Sequence, residues 1–168
     1  MDIESISKHK FLEDSNMSFQ EVYDFAYKDL GPLLREVARE VGEDRFLETL
    51  KRLASEAAVK ESQETARRLP CNDFAAYVAE MRNRSYFSNH VLTFEIVEDT
   101  LTTFEVKVTE CLWAKTFREN GAADIGYALV CHRDYADCQG FNPRITMQRS
   151  KTLMQGDKFC DHRWVWEE

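Results

Sequence analysis

Near Asn89 the spacing of the apolar residues changes, which restricts the chain to folds with helices first and a sheet second. Before that point Phe25, Leu33, Val37 and Val41, then Phe46, Leu50 and Leu53, recur at helical spacing. After it Leu92, Phe94 and Ile96 alternate with polar residues, and so do Phe104, Val106 and Val108, as in a β-hairpin turning at Asp99-Thr100. Ser18 with Glu21 forms a capping box, Gly31-Pro32 splits the first helical stretch, and Gly42 closes it. A second helix is expected over about Asp44 to Leu69, and a third after Asn72 or Asp73. Two short helices follow the first hairpin: LWAKTFREN, and AADIGYALVCHRDYADC. RITMQRSKTLM and KFCDHRWVW read as a second hairpin around a Gly156-Asp157 type II′ turn.

The expected class is α+β: N-terminal helices packed on a four-stranded antiparallel sheet, with two helices inserted between the hairpins. A length of 168 residues suits a single domain over 1–168, with a lead-in at 1–16, a helical part at 17–88 and a sheet part at 89–168. A net charge of −8 disfavours nucleic acid and anionic lipid as partners. No window is apolar for long enough to span a bilayer. The polar, acidic start lacks the pattern of a signal peptide, so a reducing cytoplasm is expected. There the five cysteines, an odd number, are expected as thiols.

The last hairpin holds the main candidate site. With Gly156-Asp157 at its tip, Leu153 faces Cys160, Lys151 faces His162 and Arg149 faces Trp164, all on one side of the sheet. A thiol, an imidazole and two cations over an aromatic floor suit a small anion, with Arg149 gripping a carboxylate. Cys111 closes the second strand, and Cys131 and Asp134 lie three apart on one helix face, with Cys138 continuing the stripe.

Three chemistries follow. One cysteine is a nucleophile, its pKa lowered by Arg149 and Lys151, with His162 or Asp134 moving protons. Cys131 is preferred and Cys160 comes next. Alternatively, Cys111, Cys131, Cys160 and His162 hold a soft metal such as zinc, although no CxxC or HExxH pair supports it; otherwise no cofactor is expected. In the third reading the cysteines are small buried hydrophobes. His9, His90, His132 and Cys71 are weaker candidates, expected to be incidental. An aromatic residue exposed on a short sheet would suit a homodimer.

The run from Cys111 through IGYALVCHRDY to FNPRITMQRSKTLMQGDKFCDHRWVW resembles the L-2-amino-thiazoline-4-carboxylate hydrolase family over the C-terminal third. That resemblance implies hydrolytic opening of a cyclic, amidine-like ring bearing a carboxylate, giving a carbamoyl-cysteine type of product. The partner would be a small anionic heterocycle, held by Arg149 and Lys151 over Trp164. The layout also looks similar to the small-ligand-binding fold of vinyl-reductase-type domains. The competing expectation is a sensor or carrier that binds a ligand or metal in the same cysteine-lined pocket.

Overall fold

A computed structural model describes residues 17–83 and 89–167. The lead-in with His9 lies outside the described residues, as does the expected boundary at residue 88. Helix α1 (Phe19–Tyr27) begins at the expected capping box: Ser18 Oγ accepts the Glu21 N–H at 3.2 Å, and the Glu21 carboxylate accepts the Ser18 N–H at 2.7 Å. Helix α2 (Leu30–Val41) restarts at Gly31-Pro32. Gly42 ends it at φ 97°, where a residue with a Cβ would be strained. Helix α3 (Glu43–Arg68) runs for 26 residues, with Glu43 and Asp44 at its positive end and Arg67 and Arg68 at its negative end. Helix α4 (Phe74–Asn83) is capped by Asp73, whose Oδ1 accepts the Ala76 N–H at 2.9 Å.

The sheet has the expected four antiparallel strands: β1 (Leu92–Asp99), β2 (Thr103–Cys111), β3 (Ile145–Gln148) and β4 (Cys160–Trp166), in the order β1-β2-β4-β3. Between the hairpins come α5 (Leu112–Glu119), α6 (Ala123–Gly126), one turn of π-helix (Tyr127–Cys131) and α7 (Asp134–Phe141). The inner face presents Phe104, Val106, Val108, Cys160 and Trp164 to Phe74, Tyr77 and Val78 of α4 and to Cys138 and Phe141 of α7. The outer face is polar: Arg163 bridges Glu98 at 2.5 Å and Glu105 at 2.6 Å, and Lys107 pairs with Glu95 at 2.8 Å. A second core of Ala114, Phe117, Ala122, Ile125 and Met154 joins α5 and α6 to the segment before β4. Among the described residues no helix is long and apolar enough to cross a membrane.

The second hairpin differs from its expected form. Met147 lies opposite Trp164, and Gln148 opposite Arg163, so the register is two residues away from the expected one. The strand also stops at Gln148. Asp161 captures the next backbone donors, accepting the Ser150 N–H at 2.9 Å and the Lys151 N–H at 2.6 Å, which removes them from the ladder. A 3₁₀ turn (Leu153–Gln155) follows, ended by Gly156 at φ 100°, in place of a two-residue II′ turn. Lys151 is consequently exposed. Its Nζ sits over the Phe159 ring at 4.6 Å, as does that of Lys107 at 5.5 Å, on the side of the sheet away from His162.

Helices α3 and α7 meet at Gly140, where an added Cβ would stand 2.8 Å from Val59 Cα and 2.9 Å from Val59 O. Backbone cannot yield as a flexible side chain does. Gly140→Ala is expected to cost about 1–3 kcal/mol, read as a lower urea midpoint with an unchanged slope. An unchanged midpoint would contradict this packing.

Candidate functional site

A cavity of about 820 Å³ lies between the inner face of the sheet and the helices. Its floor is Phe94, Phe104, Val106, His162 and Trp164. Tyr77 and Met81 of α4 cover one side. Val130, Arg133, Asp134 and Asp137 cover another, and this i, i+3, i+4, i+7 spacing turns one helical face to the cavity. That spacing is visible in the sequence, but sequence reasoning did not single out Arg133 or Asp137.

Arg149 organises the polar end. Its side chain is 1% exposed. Nη1 donates to Asp134 Oδ2 at 2.7 Å and stands 3.4 Å from His162 Nε2, and Nη2 donates to the Cys131 carbonyl at 2.8 Å. The guanidinium also lies over the Tyr135 ring at 5.0 Å and the Tyr127 ring at 5.8 Å. The π turn is part of this arrangement. It carries an i→i−5 bond from the His132 N–H to the Tyr127 carbonyl at 2.8 Å and ends at Cys131, whose carbonyl accepts from Arg149. Arg149 is thus spent on protein groups, and does not stand open as the expected carboxylate grip.

The Asp134 side chain keeps 36% of its surface exposed, and that surface opens on the cavity, with protein packed around the rest. Burial raises its pKa from 3.8 to about 6, against the opposing pull of Arg149. His162 is held neutral. Burial first, then Arg149, push its pKa from 6.5 down to about 3. Trp164 lines the floor of the cavity, with its ring 6.1 Å from Phe104 and edge-on to His162 at 5.6 Å.

The thiols stand apart from this cavity. Cys160 is 6% exposed, and its sulfur accepts the Leu153 N–H at 3.2 Å. Cys111 caps α5, its sulfur accepting the Ala114 N–H at 3.4 Å, and lines a neighbouring cavity of about 800 Å³. Cys131 packs against the second core, and Cys138 is fully buried. Cys160 lies near enough to raise the pKa of Cys111 and Cys131, and Cys111 that of Cys131. Burial nevertheless dominates: it pushes Cys111 up to about 11 and Cys138 up to about 12, and raises Cys131 and Cys160 as well. Arg149 pulls Cys131 and Cys160 downward and is overridden, so the lowered thiol expected of a nucleophile is not found. Among the described residues no three His, Cys, Asp or Glu side chains stand close enough to hold a metal ion, so Cys111, Cys131, Cys160 and His162 do not form the alternative zinc set. His132 is half-buried beside the rings of Tyr127 and Tyr135, His90 stacks on Phe19 at 5.1 Å, and Cys71 is exposed.

Among solved structures, the fold is similar to the phenol-responsive sensory domain of the transcription activator PoxR, with phenol. Identity is 13% and the TM-score 0.56, over 83% of this chain and 73% of that one. It is also similar to a trafficking protein particle complex subunit 3 from Naegleria fowleri covalently bound to palmitic acid. Here identity is 12% and the TM-score 0.52, over 86% and 97% of the two chains. No curated protein matches the sequence. The family model described as L-2-amino-thiazoline-4-carboxylic acid hydrolase matches residues 21–164, so the likeness extends far beyond the C-terminal third. The chain belongs to that family.

The neutral His162 has a consequence for stability. The unfolded chain takes up a proton near pH 6.5 and the folded chain only near pH 3, so this contribution is lost as pH falls through that window. Asp134 acts oppositely between about pH 6 and 3.8, but its shift is smaller. Between pH 7 and 4.5, His162→Gln is expected to lose about 2 kcal/mol less stability than the wild type, discounting for solvent in the cavity. Denaturant titrations at the two pH values test this. Equal losses in both proteins would contradict a neutral His162.

Proposed function

We propose that this member of the family hydrolyses a C–N or C–S bond in a small heterocyclic carboxylate, of the 2-amino-thiazoline-4-carboxylate type, with water as the attacking group. The observation that supports water over a thiolate is Asp134: a carboxyl facing the cavity, held at Oδ2 by Arg149, with a pKa raised to about 6. A base with that proton affinity is ionised at neutral pH yet still binds a proton readily. Cys131 and Cys160 have the opposite properties: the first is partly buried and the second buried, both are raised in pKa, and both lie outside the cavity lining.

In this mechanism Asp134 takes a proton from water as the oxygen adds to the ring carbon between nitrogen and sulfur. The C=N electron pair moves to the ring nitrogen as the oxygen adds, the adduct's hydroxyl proton passes to that nitrogen, and the adduct collapses to a carbonyl as the C–S bond breaks. The sulfur leaves with its electron pair and receives the proton back from Asp134. The carbon retains both nitrogens and gains a carbonyl oxygen, which gives the carbamoyl-cysteine type of product. Neutral His162 beside Arg149 offers a hydrogen bond to the reacting water or the ring without adding charge. The aromatic floor supplies a flat, apolar surface for the ring.

A second reading is a binding protein without turnover. It draws on the aromatic lining of the cavity and on the fold shared with a phenol-responsive sensory domain. Turnover of L-2-amino-thiazoline-4-carboxylate separates the two readings. The hydrolase reading expects Asp134→Asn to lower kcat by about 10²-fold or more. Cys131→Ala and Cys160→Ala should stay within about 3-fold. The wild-type rate should rise with pH through about 6 and then level off. Full turnover by Asp134→Asn, or a folded Cys131→Ala protein without activity, would overturn it. Binding without turnover in the wild type would favour the second reading.

A further inference from the structure

We infer that Arg133 reads the substrate's carboxylate, exchanging its resting ion pair with Glu61 for that group. This rests on the hydrolase reading above and adds a specificity residue to it.

Arg82 and Arg133 line the cavity and Arg149 stands behind Asp134, and the environments of the three differ. Arg149 is 1% exposed and committed to Asp134 and the Cys131 carbonyl. Arg82 is ion-paired with Asp99, and its guanidinium lies over Phe104 at 5.5 Å, so it serves as part of the wall. Arg133 directly precedes Asp134 and lines the cavity with a side chain that is 33% exposed. Its hydrogen-bond partner is Glu61 of α3, at 2.5 Å, whose own side chain is 62% exposed and also lines the cavity.

An exposed ion pair of this kind stabilises the fold little, because water solvates both groups well when they part. A carboxylate arriving on a ligand can therefore replace Glu61 on Arg133 at small cost, and the planar guanidinium can hold it in two-point fashion. Glu61 then acts as an internal competitor for the substrate. That gives the proposal a sign which a structural role for the pair would not share: removing the charge of Glu61 should tighten binding.

The test measures dissociation constants for two probes, L-2-amino-thiazoline-4-carboxylate and 2-amino-thiazoline without the carboxylate. Arg133→Met is expected to weaken the carboxylate probe about 10-fold or more and to leave the other within about 2-fold. Arg133→Lys should recover part of the loss, and Glu61→Gln should tighten the carboxylate probe about 2- to 5-fold. Equal weakening of both probes by Arg133→Met, no weakening of either, or looser binding in Glu61→Gln would overturn the assignment. If the wild type favours the carboxylate probe while Arg133→Met changes nothing, Arg133 alone is dismissed and the hydrolase reading stands. If the wild type binds neither probe, both fall together.

Discussion

One ion pair, Arg149 with Asp134, ties the parts of the site together. It connects the start of α7 to the segment just past β3, and its other contacts reach the π turn and His162 on β4. An arginine with 1% of its side chain exposed cannot lose its partner without leaving a buried charge. Removing Asp134 therefore destabilises the fold, though by less than the ~3–5 kcal/mol of a fully buried pair, because the Asp134 side of it is open to the cavity. The same pair sets the chemistry nearby. It orients one oxygen of Asp134 and helps keep His162 neutral, and it fails to overcome burial at Cys131 and Cys160.

The fold makes that pair possible by ending the last hairpin early. Had the ladder run on to the tip, Arg149 would be an ordinary strand residue. Asp161 instead binds the backbone of Ser150 and Lys151, and the chain leaves the sheet beside α7. On the helix side, the π turn before α7 supplies the Cys131 carbonyl as a second anchor. Two local departures from regular structure meet at one guanidinium. The regular elements around them, the inner sheet face and α4, supply the aromatic floor and the cover of the cavity.

Much of the architecture was legible in the sequence because its causes are local. The Ser18–Glu21 box, the stop at Gly42, the Asp73 cap and the alternation of β2 each depend on neighbours along the chain. The register of the second hairpin was not legible, since Asp161 competes with the ladder from across the turn and Gly156 fits more than one kind of turn. Cys131 and Asp134 were found by their spacing, but which of them meets the cavity depends on the rotation of the helix against the sheet. The raised pKa of Asp134 comes from burial by residues distant in sequence, as does the raised pKa of every buried thiol. The family match over 21–164 shows that the helical half, generic to the eye, belongs to the same pattern as the C-terminal run.

Asp134 is a partly exposed carboxyl whose pKa is raised by the protein around it and held down in part by Arg149. The most direct measurement is a site-resolved NMR titration of the Asp134 side-chain carboxyl in the wild type and in Arg149→Met. The account predicts a wild-type midpoint near 6, and a higher one in Arg149→Met, where burial remains and the cation is gone. A wild-type midpoint at the ordinary value near 3.8, unmoved by the loss of Arg149, would contradict it.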